Sequence, residues 1–131
     1  MINRLTFFPE DFIAARETSP PMLCATRDSS VAGSFEIPLL CDQLIMSKGV
    51  DAVIALGVIV QGDTHHARLI AEQAAAGIMQ IQLEHGCPIA FEVLYVDDIK
   101  DAIKRSTGNN GKGVVAARIV LKTLATLKDL R

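Results

Sequence analysis

Gly62-Asp63-Thr64 runs directly into His65 and His66, so two of the chain's three histidines share one junction. An apolar run ends there and an amphipathic segment begins. The junction joins a conformationally permissive glycine, an acidic residue and a β-branched hydroxyl residue at a helix start, where the first backbone N–H groups lack intrahelical acceptors. Such groups, aimed outward at the positive end of a helix dipole, form an anion site. A phosphate would be held by the main chain of Gly62, Asp63 and Thr64, because the Asp63 carboxylate itself repels an anion. Asp63 or Thr64 acting simply as an N-cap is the alternative. An imidazole in the first helical turn can take or relay a proton at pH 7, and a solvated histidine pair is the competing reading.

Arg105, a Gly/Asn loop and Lys112 form a second feature, with two cations flanking a segment at the mouth of a helix. Arg grips a phosphate bidentately and Lys acts as a point charge, whereas a plain charged helix end explains the same residues without a ligand. The loop is not a nucleotide-binding Walker A loop, since Gly-Lys-Ser/Thr is absent. Gly-x-Ser-x-Gly, His-Glu-x-x-His and a Gly-x-Gly-x-x-Gly after a strand are also missing. Glu36 and Glu92 are read at strand ends, with nothing in the sequence to pair them as acid and base. Cys24, Cys41 and Cys87 are widely spaced and odd in number, which suits neither a disulfide framework nor a metal site and reads as reduced, small apolar residues.

Positioning these groups requires a core. Half of the 131 residues are hydrophobic, only 5% are aromatic and none is Trp, so Ala, Val, Ile and Leu must build it. Residues 51–60 lack polar alternation, as a strand covered on both faces would. A helix follows in which Ala67, Ala71, Ala74, Ile78 and Ile81 form one buried stripe, and Gly86 ends it. A second strand is expected over 88–95, a short helix over 97–105, and a last helix over 112–130. Upstream, Pro38 opens a helix expected to turn Leu39, Leu40, Leu44 and Ile45 inward and to stop at Gly49. Pro20-Pro21 leaves room for one short strand near 22–25. Strands alternating with helices mean crossover connections and a parallel sheet, whose ligands bind beyond the carboxyl ends of the strands. Residues 1–131 read as a single domain, of which 1–32 are the least patterned.

Lys and Arg number 13 against 15 Asp and Glu, a net charge of −2, so no basic field exists for nucleic acid. The longest nearly apolar run, 52–60, is too short to span a membrane, and residues 1–5 lack the features of a secretory signal. The expectation is a cytoplasmic protein.

Gly33-Ser34-Phe35-Glu36-Ile37-Pro38, then Ala55-Leu56-Gly57-Val58-Ile59-Val60-Gln61-Gly62-Asp63-Thr64-His65-His66, then Pro88-Ile89-Ala90-Phe91-Glu92-Val93-Leu94, then Lys112-Gly113 stand in this order. Together they closely resemble the 6,7-dimethyl-8-ribityllumazine synthase family, from about Gly33 to the C-terminus. The resemblance implies a three-layer α/β/α, flavodoxin-like domain with a four-stranded parallel sheet. It implies condensation of 5-amino-6-(D-ribitylamino)uracil with 3,4-dihydroxy-2-butanone 4-phosphate in riboflavin biosynthesis, a transferase-type reaction releasing phosphate and water without metal or cofactor.

By the same resemblance Ser34, Phe35 and Glu36 would hold the ribityl and pyrimidine portion, and Val58, Ile59 and Val60 would line the heterocycle. Gly62, Asp63 and Thr64 would present amides to the phosphate, and His66 would transfer protons, with His65 at a variable position. Phe91 would stack on the ring, Arg105 would bind the phosphate and Lys112 would sit at the site edge. These last three would come from the neighbouring subunit of a ring-shaped homopentamer or a multiple of it. Riboflavin synthase is a candidate partner; nucleic acid and membrane are not. The sequence departs from the family pattern in its shortened N-terminal strand-helix portion, where Phe8 is a candidate counterpart of the family's ring-stacking aromatic. It also departs at Val115, where the family usually has Glu, and in the slightly tighter spacing from Arg105 to Lys112. A family member that binds a flavin or lumazine without making it, or one that only forms a ring or shell, is the alternative.

Overall fold

The computed structural model describes residues 29–47 and 50–131. Its centre is a pair of parallel strands, β1 (Val53–Val60) and β2 (Ile89–Val96), in register from Val53 opposite Ile89 to Val60 opposite Val96. Both are rich in β-branched residues and apolar on both faces, as a covered parallel sheet requires. The crossover between them is α2 (His66–His85), which follows α1 (Ile37–Met46) and precedes α3 (Ile99–Ser106) and α4 (Lys112–Asp129). Among the described residues no helix is long and apolar enough to cross a membrane.

Alternation along the strands divides the core. Val53, Ala55, Ile59, Ile89 and Val93 face Ile37 and Cys41 of α1 and Ile78 of α2. On the opposite face, Ala90 packs under Ala116 and Val120 of α4, while Leu94 and Val96 pack under Ala102 of α3, with Val58 against them. The result is helix, sheet, helix, as expected for this pattern. Two strands are described; the short strand expected near 22–25, Cys24 and Phe8 lie outside the described residues, as does Gly49.

The expected stripe on α2 is in place: Ala74 and Ile78 are buried, and Ala67, Ala71 and Ile81 pack half-buried against the same core. Gly86 ends the helix in the left-handed region at φ 59°, where a side chain would be strained. Strand and helix limits otherwise shift by one or two residues. The start of α3 moves to Ile99 because the Asp98 carboxylate caps it, accepting from the Lys100 N–H at 2.9 Å.

Two expectations are corrected. Leu39 is 65% exposed and Leu40 and Leu44 are only half-buried; α1 turns Ile37 and Cys41 to the core, with the half-buried Ile45 beside them as expected, a four-residue repeat one step out of phase with Leu40 and Leu44. Pro38 fixes that phase by abutting Gly77 of α2, where an added Cβ would lie 3.0 Å from the proline ring. Neither Glu36 nor Glu92 is at a strand end: Glu36 closes a 3-10 turn that leads into α1, and Glu92 lies in the middle of β2, buried.

The contact between α1 and α2 therefore has no room for a side chain at 77. Leu is a better helix former than Gly by nearly 1 kcal/mol, whereas overpacking typically costs about 1–3 kcal/mol and a leucine against a rigid proline belongs at the upper end. Gly77→Leu should be net destabilising, read as a lowered midpoint in urea unfolding; an unchanged or raised midpoint would show that the helices part freely.

Both described cysteines are free and buried. Burial, with a smaller contribution from neighbouring Cys87, pushes the Cys41 thiol up to about 11, so it stays a neutral packing group.

Candidate functional site

Beyond β1 the chain keeps its pairing for one more step, the Gln61 N–H donating to the Val96 carbonyl at 2.8 Å. The Gln61 side chain then folds over the loop that follows. Its Nε2 donates to the Gly62 carbonyl at 2.7 Å and to the Thr64 carbonyl at 2.9 Å, while its Oε1 accepts from the Tyr95 hydroxyl. With those carbonyls engaged by Gln61, the N–H groups of Gly62, Asp63, Thr64 and His65 meet no acceptor among the described residues. These N–H groups are free to meet a ligand, and the loop that carries them is tied to β2 through Tyr95.

The helix itself begins at His66, with His65 rather than Asp63 or Thr64 in the N-cap position and no side-chain cap bond from it. Thr64 contributes a long contact, its Oγ1 accepting from the His66 N–H at 3.4 Å. Residues 62–66 are all solvent-exposed, so an imidazole there is reachable by a ligand seated on the loop.

Ser34 to Glu36 form a single 3-10 turn leading into α1. Ser34 is buried against β1, where its Oγ lies 3.3 Å from the point an added Cβ on Gly57 would occupy. The glycine admits the turn to the sheet; Phe35 and Glu36 face solvent.

On the other face of the sheet lies a cavity of about 200 Å³, bounded by Val58, Leu94 and Ile103, with Glu92 and Lys112 among its polar lining. Lys112 opens α4, and its Nζ is 3.6 Å from Oε2 of Glu92. Burial pushes the Glu92 carboxyl above its ordinary value, and the Lys112 ammonium partly pulls it back. No three His, Cys, Asp or Glu side chains among the described residues are grouped to hold a metal ion.

The residues singled out from sequence thus fall into four places. Gly62, Asp63, Thr64 and His66 share one loop; Ser34 lies beside β1; Val58 and Lys112 line one cavity; Val60, Phe91 and Arg105 are exposed. Ile59 points into the core, 8% exposed, so only its main chain is available to a ligand. Phe91 is 41% exposed on β2, and Arg105 occupies the last turn of α3. Among the described residues no hydrogen bond or ion pair joins Arg105 to the loop 62–66. Sequence reasoning missed Gln61 and Tyr95, which meet only through strand register, and left Glu92 unpaired.

Residues 25–128 match the family described as 6,7-dimethyl-8-ribityllumazine synthase. The protein of that name from Desulfovibrio desulfuricans (strain ATCC 27774 / DSM 6949 / MB) is 38% identical over 101 residues, which cover 76% of this chain and 65% of that one. Its counterpart in Protochlamydia amoebophila (strain UWE25) is 41% identical over 92 residues, covering 68% of this chain and 54% of that one. The chain thus spans between about half and two thirds of the length of the curated relatives it matches. The matched segment takes in the Ser34 turn, both strands, the loop after β1 and the start of α4: the chain belongs to the 6,7-dimethyl-8-ribityllumazine synthase family.

Proposed function

We propose that the protein condenses 5-amino-6-(D-ribitylamino)uracil with 3,4-dihydroxy-2-butanone 4-phosphate to 6,7-dimethyl-8-ribityllumazine. The observation that carries this reading is the loop 62–66, where four unengaged backbone N–H groups stand beside an exposed histidine in a chain of this family. The phosphate of the butanone substrate sits on the amides of Gly62, Asp63 and Thr64, whose carbonyls Gln61 holds on its own side. Arg105 supplies a bidentate countercharge. Ser34, Phe35 and Glu36 hold the ribityl and pyrimidine end, Val58, Ile59 and Val60 form the wall of the heterocycle, Phe91 stacks on it and Lys112 stands at the edge.

The chemistry then needs positioned proton transfer. The 5-amino group of the pyrimidine attacks the ketone and water leaves to give an imine. Loss of a proton from carbon expels the phosphate and leaves an enol that tautomerises to a ketone; the ribitylamino nitrogen attacks that carbonyl, and a second water leaves as the ring closes. His66 lies at the phosphate end, where it relays protons in these steps. Holding both substrates in one site supplies the orientation that a bimolecular condensation otherwise lacks.

Two features support a site shared between subunits of a homopentamer or a multiple of it. Phe91 and Arg105 are exposed, and Arg105 makes no bond to the loop within one chain. The finer fold in this reading is a flavodoxin-like single domain over 1–131 with a four-stranded sheet, cytoplasmic, with riboflavin synthase as a candidate partner.

Formation of lumazine from the two substrates tests the activity, and competition by inorganic phosphate tests the site. Phosphate should compete with the butanone phosphate and not with the pyrimidine. Removing a charge-assisted bond in Arg105→Ala should weaken that inhibition by about tenfold or more, the equivalent of roughly 1.5–3 kcal/mol. If phosphate does not inhibit, or inhibits the variant equally, Arg105 is only a solvated helix end.

A further inference from the structure

Glu92 and Lys112 each occupy a place that local physics disfavours. Glu92 lies at the centre of β2, 9% exposed, on the face that it shares with Ala90 and Leu94. Taking a carboxylate out of water there costs several kcal/mol, and an apolar residue of similar volume usually serves a fold as well or better. Lys112 is the first residue of α4, at the positive end of that helix dipole, where a cation is unfavourable. Two local conflicts that meet at one point mark a functional constraint more often than a structural one.

Their geometry indicates what the constraint is. The ammonium and carboxylate approach to 3.6 Å, too long for a strong hydrogen bond, so the pair fixes direction without using up the lysine's donors. Lys112 remains 41% exposed at its side chain while Glu92 is buried beneath it. Gly113 follows, and nothing lies within 4 Å of where its Cβ would be, so the approach beside the lysine is open.

We propose that Glu92 is a positioning residue, a buried carboxylate that holds the Lys112 ammonium in place so that its free N–H bonds reach an oxygen of the pyrimidine bound against the neighbouring subunit. This rests on the lumazine-forming reading above. Glu92 touches no substrate; it acts through the lysine. A lysine without that anchor has more side-chain rotamer freedom to lose on binding, so the deficit appears in ligand affinity.

The test is a double-mutant cycle of Glu92→Gln, Lys112→Met and the pair, read as equilibrium binding of the pyrimidine, as KM for each substrate, and as thermal midpoint. Glu92→Gln should weaken pyrimidine binding and raise its KM about five- to thirtyfold, the range of 1–2 kcal/mol in affinity, with kcat and the KM of the butanone phosphate changed far less. In the Lys112→Met background the same substitution should add nothing. The thermal midpoint should stay level or rise, since a buried charge has been removed. Glu92→Leu gives a second variant should the amide fold poorly. A fall in the midpoint with unchanged pyrimidine affinity, or losses that add in the double variant, overturns the proposal alone. A wild-type protein that neither binds nor converts the pyrimidine overturns it together with the reading on which it rests.

Discussion

His66→Ala should lower turnover about ten- to a thousandfold, the scale of a positioned general acid–base. The imidazole is the side chain able to exchange protons near pH 7 at the first turn of α2, next to the loop assigned to the phosphate. Imine formation, phosphate elimination and ring closure each move a proton, so one missing relay slows every step. Because residue 66 is exposed and caps nothing, the unfolding free energy should change by no more than about 0.5 kcal/mol. His65→Ala, one residue earlier, should leave turnover close to that of the wild type. Equal activity of His66→Ala and wild type under saturating substrates would remove His66 from the mechanism.

The second large effect concerns mixtures. His66→Ala and Arg105→Ala should each be strongly impaired, and should recover activity when unfolded together and reassembled. In a closed ring each subunit gives one face and receives another, so random mixing places an intact histidine face against an intact arginine face at about a quarter of the sites. The exposure of Phe91 and the absence of any bond from Arg105 to residues 62–66 within the described chain motivate this arrangement. Native mass spectrometry that finds mixed rings with no regained turnover would place the whole site within one chain.

What could be read from sequence follows the range of the forces involved. β1 was legible because a run without polar residues has few other uses, and α2 because its alanines and isoleucines recur on one face up to a left-handed glycine. The strand-to-helix junction after β1 was legible for the same local reason. The phase of α1 was not: Leu39 is more apolar than Cys41, and only the contact of Pro38 with Gly77, on a different helix, decides which of them faces the sheet. Glu92 and Lys112 are linked by neither periodicity nor motif, since they meet through packing of α4 on β2. Gln61 and Tyr95 meet through strand register, which no local pattern sets. The motifs shared with a family pointed to candidate site residues, and the structure adds the side chains that hold the loop after β1 and approach Lys112.

Incubating the purified protein with 5-amino-6-(D-ribitylamino)uracil and 3,4-dihydroxy-2-butanone 4-phosphate, and following lumazine fluorescence with release of inorganic phosphate, tests the central claim most directly. The expected result is equimolar lumazine and phosphate, formed over many turnovers and slowed about ten- to a thousandfold in His66→Ala. No lumazine above the uncatalysed rate, from protein that remains folded and binds riboflavin, would contradict the enzymatic reading and leave a binding member of the family in its place.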